Sequence, residues 1–314
     1  MAEVMCPVEC RSMSRRISVC VFACNEAASI ADSLAALMES GLGPEDQVHV
    51  VVNGSSDATD DIARNFAARD GRVSVHVLGF GDKANAWNHY VHRIANDGAH
   101  HVFMDGDVRP GAGALDALRA ALDDHADALA ASALPRGGRR SPAWARQILE
   151  NHGMPGNLYM LRDTTVARMR ARRFFLPVGL VGDDTFLRWM LLRDLDTSSE
   201  IRKDRIRPAA LACFEYDSFP VASFSGLRAL YKRHRRYSRR DMEMELLTEH
   251  LAGKGLAALP RYISELYPNA KLTSALRGGR RLRQVFFLSS YAFARRNGGR
   301  IPRDDPWQTV FSTR

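Results

Sequence analysis

The sequence predicts an α/β fold, a mostly parallel sheet flanked by helices, with a helical and basic C-terminal region. Three observations carry this expectation. Four short apolar, β-branched runs alternate with helix-like segments before residue 106. These runs are continuous rather than alternating, which marks strands buried on both faces. Beyond residue 226, Arg-rich stretches carry their apolar residues at helical spacing.

Each element follows from its residues. Ile17–Phe22 is the first strand candidate, and Ala27–Ser40 the first helix, with Ile30, Leu34 and Leu37 on one face and Gly41 as its stop. Val48–Val52 is the second strand. Asp57 then reads as the N-cap of a helix carrying Ile62, Ala63, Phe66 and Ala67. Val73–Leu78, a helix over Asn85–Asn96 and a strand at His101–Met104 complete the first third. Farther on, Pro135–Pro142 reads as a loop, Gly153–Gly156 as a turn before Asn157–Leu161, and Leu176–Gly182 as an approach to a helix over Thr185–Leu192. Residues 227–247 form an amphipathic helix with Leu227, Leu230, Tyr231, His234 and Tyr237 on one side and the arginines on the other. A last helix, 280–296, has an apolar centre between basic ends.

Composition limits the function classes. With 25% charged and 46% hydrophobic residues in 314, the chain can bury a sizeable core. No apolar run is long enough to span a bilayer, and the N-terminus lacks an apolar signal segment, so a cytoplasmic location is expected. Five cysteines, at 6, 10, 20, 24 and 213, show no zinc-like pairing and are expected as reduced, structural thiols.

Charge is uneven. Residues 1–125 hold 10 basic and 18 acidic side chains, a net of −8, whereas 126–314 hold 34 and 18, a net of +16. Such a half could meet anions, phosphates or acidic lipids, at the inner face of a membrane for example. Nucleic-acid binding is not expected, because no finger, basic zipper or stacking motif accompanies the charge.

In parallel sheets ligands bind beyond the carboxyl ends of the strands. Those ends here carry Cys24-Asn25-Glu26, Asn53-Gly54-Ser55-Ser56-Asp57, Gly81-Asp82-Lys83 and Asp105-Gly106-Asp107. Two carboxylates at i and i+2, with Gly106 allowing a tight turn, suit a hard cation such as Mg²⁺ or Mn²⁺; a solvated turn would use the same residues. Asp183-Asp184 opens a helix, as a plain dipole-favoured terminus or as a general base. Lys83 could reach a base or a phosphate. The cluster from Lys232 to Arg240 has three readings: contact with a diphosphate, a solvated face of a core helix, or contact with anionic headgroups.

Taken in order, these pieces resemble the family 2 glycosyltransferases, inverting nucleotide-sugar enzymes of the Rossmann-like GT-A fold. The likeness rests on VFACNEAASI, NGSSDATDDIA, DKANAWNH, FMDGDVRP, GMPGNLYMLR and GLVGDDTFLRWML, from Ile17 to about Arg240. The resemblance implies residue roles. Ala23, Asn25 and Glu26 line the nucleotide pocket, Asn53 and Lys83 contact the base, and Asp105 the ribose or metal. Asp107 is the main ligand to the cation, Asp184 is the base with Asp183 beside it, and Gly156 and Asn157 lie near the sugar. Arg233 and Arg236 join the donor site.

The family usually places Asp where Asn53 stands, which loosens the expectation of uridine. A UDP-sugar is expected first, then GDP or dTDP. The Gln-x-x-Arg-Trp motif of processive synthases is missing, so one addition to a glycan or lipid-linked acceptor is expected. The expected layout is an extension over 1–16, a catalytic domain over 17–225 (nucleotide half 17–125, acceptor and base half 126–225) and a helical basic region over 226–314. Two alternatives remain at this point: a sugar-phosphate nucleotidylyltransferase and a non-catalytic nucleotide- or membrane-binding scaffold.

Overall fold

The structure is a computed structural model, described here for residues 16–137, 141–217, 224–271, 281–302 and 306–311. The expected extension, Cys6 and Cys10 lie outside them, as does Arg280.

The four strands read from apolar runs are all present: β1 (Arg16–Ala23), β2 (Gln47–Asn53), β3 (Val73–Leu78) and β4 (Ala99–Asp105). They pair in parallel in the order β3-β2-β1-β4. Both faces are covered. Cys20, Phe22, Val51 and Phe103 enter one buried cluster, whereas Val19, Val21, Val50 and Val102 enter another. This double burial is why β1, β2 and β4 are largely apolar, whereas β3 at the sheet edge is only partly buried and leaves Val77 exposed.

The second half of the sheet escapes the sequence pattern. β5 (Val108–Pro110), β6 (Ala130–Pro135), β7 (Leu158–Leu161) and β8 (Ile206–Tyr216) extend the order to β4-β7-β6-β8-β5. The β4–β7, β6–β7 and β5–β8 pairs are antiparallel, and β6–β8 is parallel. Phe103 and Tyr159 face each other across β4 and β7 and stack at 5.0 Å.

Helices α1 (Ile30–Met38), α2 (Thr59–Ala67) and α4 (Ala114–Asp123) cover the sheet face built on Val19 and Val50, burying Ile30, Leu34, Ala63 and Leu118. The other face takes α3 (Lys83–His89), α6 (Asp163–Ala171), α7 (Asp183–Leu191) and α8 (Phe224–Leu251), through Trp87, Val166, Phe186 and Leu247. One further helix, α5 (Ser141–Asn151), follows β6.

Several local expectations are corrected. Asp57 is not the cap residue of α2; it lies one position earlier, where its Oδ1 accepts from Thr59 N–H at 3.1 Å. The helix expected over Asn85–Asn96 starts at Lys83, capped by Asp82, and ends in a π-helical turn over Tyr90–Ile94. In α8 the side holding Tyr231 and Tyr237 is exposed. The buried stripe runs instead through Ser238, Met242, Glu243, Leu246, Leu247 and Leu251. Cys24 is exposed, whereas Cys20 is buried, and burial pushes its thiol pKa well up.

The C-terminal region packs into the same core as the sheet. Met242, Leu247, Ile263, Tyr267 and Ala294 belong to one cluster with Cys20 and Trp87. Helix α9 (Arg281–Asn297) docks on α8 and on the turn Ile263–Asn269, burying Ser290 and Ala294. Among the described residues no helix is long and apolar enough to cross a membrane.

Candidate active site

The turns that follow β1 and β2 are laced together. Asn25, in the left-handed region at φ 58°, donates its N–H to Ser55 Oγ (3.0 Å) and accepts at Oδ1 from Ser56 N–H (2.8 Å). Glu26 N–H donates to Thr59 Oγ1 (2.8 Å) and Ala27 N–H to Asp57 Oδ2 (3.1 Å). Asn53 is buried, and its amide donates to the Ala23 carbonyl at 3.1 Å, a bond that Asp could not make as a carboxylate. The Glu26 carboxyl pKa is raised by burial and, after the opposing Ser29 hydrogen bond, by Asp107, Asp105 and Asp57.

The turn after β4 sits against this lacing. Gly106 N–H donates to the Phe22 carbonyl at 2.7 Å, and a Cβ at position 106 would lie 2.9 Å from that oxygen. Glycine is therefore required for the approach that sets Asp105 and Asp107 beside β1. Burial and then the Asp105 charge raise the Asp107 pKa. The Asp107 carboxylate has no side-chain hydrogen bond or ion pair among the described residues. Two such carboxylates, one of them unpartnered and desolvated, fit a divalent cation better than they fit each other. Among the described residues no group of three or more His, Cys, Asp or Glu could hold a metal, so the pair would supply only part of a coordination shell.

Lys83 joins this turn to the downstream acidic pair. Its ammonium is ion-paired with Asp105, donates to the Gly156 carbonyl at 3.3 Å and lies 3.8 Å from Asp183 Oδ2. Burial alone would lower the Lys83 pKa, but Asp105 and Asp183 outweigh it and hold the group well above the ordinary lysine range. Asp183 is buried, and desolvation pushes its pKa up to about 7 against the pull of Lys83, with Asp184 and Asp105 adding to the rise. Asp184 sits in the first turn of α7. Its Oδ1 accepts from Thr185 N–H (2.7 Å) and its Oδ2 from Gly156 N–H (3.2 Å). A Cβ at position 156 would come within 3.0–3.3 Å of the Asp184 side chain.

A cleft of about 860 Å³ collects these groups. Its wall includes Lys83, Asp105, Asp107, Gly156, Asn157, Asp183 and Asp184, and Arg233, Arg236 and Arg240 from α8 close it. Ala23, Asn25, Glu26 and Asn53 are not in that wall. They stand beside it in the β1 and β2 turns, with Ala23 fully buried as the floor under Gly106.

Sequence reasoning missed the network that positions the acidic pair. Asp82 caps α3 and also accepts from Gly179 N–H at 3.0 Å; burial raises its pKa to about 6. Glu243, fully buried, accepts from Val181 N–H (2.8 Å), Arg239 Nε (2.5 Å) and Tyr267 hydroxyl (2.6 Å). Arg239 also donates to the Gly179 carbonyl at 3.0 Å. The segment 179–182, which delivers Asp183 and Asp184, is thus clamped from two sides. The available signal was a carboxylate at 243 on the apolar stripe of a helix.

The family model for glycosyl transferase family 2 matches residues 18–193. No curated protein matches the chain in sequence. Among solved structures, the chain is similar to the mannosyltransferase PcManGT from Pyrobaculum calidifontis, in complex with GDP-Man and Mn²⁺, at 17% identity over 90% of this chain and 81% of that one, TM-score 0.58. It is also similar to S. aureus TarS 1–349 in complex with UDP-GlcNAc, at 15% identity over 90% of both chains, TM-score 0.50. A third is glucosyl-3-phosphoglycerate synthase from Mycobacterium tuberculosis, in complex with Mn²⁺, UDP-Glc and phosphoglyceric acid, at 20% identity over 73% of this chain and 78% of that one, TM-score 0.50. At these identities the likeness is one of fold.

Proposed function

The chain belongs to glycosyl transferase family 2, and from that premise we propose that it is a metal-dependent, inverting glycosyltransferase that moves one sugar from a nucleoside-diphosphate sugar to an acceptor hydroxyl. The observation that carries this reading is the meeting of Asp105 and Asp107 with Asp183 and Asp184 in one cleft, linked through Lys83. Family membership argues against the nucleotidylyltransferase alternative, and the presence of Asp105, Asp107 and Asp184 in one cleft argues against a non-catalytic scaffold.

Asp105 and Asp107 would hold the cation, Mg²⁺ or Mn²⁺, which when bound neutralises charge growing on the departing diphosphate. The chain's own residues do the rest. Asp184, oriented by two backbone N–H groups, takes the proton of the acceptor hydroxyl. The acceptor oxygen bonds to the anomeric carbon as the bond from that carbon to the diphosphate oxygen breaks, and one displacement inverts the centre. Arg233 and Arg236 face the same cleft and stabilise the leaving group by charge-assisted hydrogen bonds.

Gly156 and Asn157 border the sugar, and Ala23, Asn25, Glu26 and Asn53 shape the base and ribose end. The Lys83 ammonium sits between two carboxylates, so it is assigned to holding those charges together rather than to reading the base. A second reading, with Asp183 as the proton acceptor, is favoured by the desolvation that raises its pKa above the ordinary carboxylate range, the direction that makes a carboxylate a better base.

A thermal-shift screen with UDP, GDP, dTDP and CMP ligands, with and without Mn²⁺, tests the donor. Metal-dependent stabilisation by one nucleotide supports the proposal, and indifference to all four with the metal present contradicts it. The anomeric configuration of the product then tests inversion.

A further inference from the structure

We propose that the acceptor is an extended anion, an oligomer carrying phosphate or carboxylate groups, and that it lies in a cationic trough running from the cleft between α8 and α9. The proposal rests on the transferase reading and names the substrate class of that same site.

Three cavities adjoin along this face. A second cavity of about 510 Å³ begins where the cleft ends, sharing Lys83, Asp183, Lys232 and Arg236 with it. A third, of about 580 Å³, shares Arg235, Ser289 and Phe293 with the second and ends at Arg296 and Arg300. The order follows from helix geometry. At about 100° per residue, α8 turns Arg233 toward the cleft, Arg236 and Lys232 toward the junction, and Arg235 toward the far cavity. Asp183 borders both the cleft and the second cavity, so an acceptor entering along this track arrives at the acidic pair.

The charge in the trough is unbalanced. Lys232, Arg235, Arg236 and Arg296 are exposed and make no ion pair with the described residues. The two acids of the second cavity already have partners: Asp82 accepts two backbone N–H groups, and Asp183 faces Lys83. No acid lines the third cavity. Like charges lining a concave track focus potential along it, which an anion relieves. A single phosphate would engage one or two of these cations, whereas three joined cavities call for a longer ligand. A lipid surface fits this track poorly, because interfacial binding presents an apolar helix face to the headgroup boundary, and here the cations line a groove between two helices.

The test is an affinity titration of the full chain. The probes are inorganic polyphosphate, oligogalacturonate, a neutral maltooligosaccharide, and phosphatidylglycerol–phosphatidylcholine vesicles. UDP, GDP, dTDP and CMP with Mn²⁺ are titrated in parallel. Binding of either soluble polyanion without the neutral oligosaccharide is expected, and which one binds identifies the anion. Arg296→Glu/Arg300→Glu should weaken it by about tenfold or more, a charge-pair effect. Arg69→Glu/Lys254→Glu makes the same charge change on exposed residues elsewhere and should leave the affinity within about twofold. Arg300→Glu alone replaces the double variant if that does not fold.

Absence of polyanion binding, or equal loss in both double variants, overturns the proposal. Vesicle capture without binding of a soluble polyanion also overturns it, in favour of a membrane surface. Failure of the unsubstituted chain to bind any of the four nucleotides overturns the transferase reading instead, which separates the two failures.

Discussion

The two walls of the cleft hold their acids by different means. On the N-terminal side, in a half of the chain with net charge −8, Asp105 ends and Asp107 follows a strand paired in parallel with β1 and antiparallel with β7, and the turns beside them are tied by backbone N–H groups that donate to side chains of the neighbouring turn. On the other side, Asp183 and Asp184 follow a segment with little regular structure of its own. That segment is held by Asp82, Glu243, Arg239 and Tyr267, side chains that converge from α3, α8 and the turn after it. One wall is therefore set by sheet topology and the other by a buried polar network. The first should tolerate distant substitution, and the second should be brittle, because a half-satisfied buried network costs more than an apolar one.

The sharpest way to break this comparison is at the acids themselves. Asp184→Asn should cut turnover by about 10²–10⁴-fold, the range for a lost general base, with the melting temperature nearly unchanged. Steady-state kinetics against thermal unfolding checks it. If Asp183→Asn shows the larger loss, the base is Asp183 and the roles exchange.

Next comes the clamp. Arg239→Met leaves the Glu243 carboxylate buried without its cation, and the unfolding free energy should fall by about 3–5 kcal/mol. Arg239→Met/Glu243→Met should recover part of that loss in denaturant titrations. Full stability in the single variant would show that the downstream wall does not depend on the network.

Gly156→Ala should have a smaller effect. Its Cβ would press on the Asp184 side chain at 3.0–3.3 Å, and a displaced base should lower kcat by about 10- to 100-fold, with nucleotide affinity kept.

The smallest effect is in pH dependence. The folded-state pKa of Asp183 is raised, so the native chain binds a proton that the unfolded chain has already lost, and stability falls as pH rises from about 4 through about 7. Asparagine mimics the protonated form. The melting temperature of Asp183→Asn relative to the unsubstituted chain should therefore climb by several degrees, about 5 °C, between pH 5 and pH 8. A flat difference would mean that Asp183 is ionised throughout.

The same contrast explains what the sequence made legible. Strands β1–β4 announce themselves as apolar runs, and their turns as clusters of Asn, Gly, Ser and Asp, because the sheet needs those residue types locally. The Asp105-Gly106-Asp107 turn and the Asp183-Asp184 pair are likewise visible as local strings. Strands β5 to β8 are short, or broken by Pro and charged residues, and depend on long-range pairing such as Ala130 with Ile206, which no window of sequence shows. The Arg239–Glu243 pair has helical i, i+4 spacing, yet Arg239 reads as one more surface cation until Gly179 and Tyr267 are seen to meet it. Lys83 reads as a free lysine before a helix for the same reason, since Asp105 and Asp183 lie 22 and 100 positions away.

Calorimetric titration of UDP and GDP, with and without Mn²⁺, into the unsubstituted chain, Asp107→Ala and Asp184→Asn tests the central claim most directly. One nucleotide should bind the unsubstituted chain and Asp184→Asn alike, with a metal-dependent gain that Asp107→Ala loses. Undiminished metal-dependent binding in Asp107→Ala, or its loss in Asp184→Asn alone, would contradict the division of the cleft into a donor side and a base side.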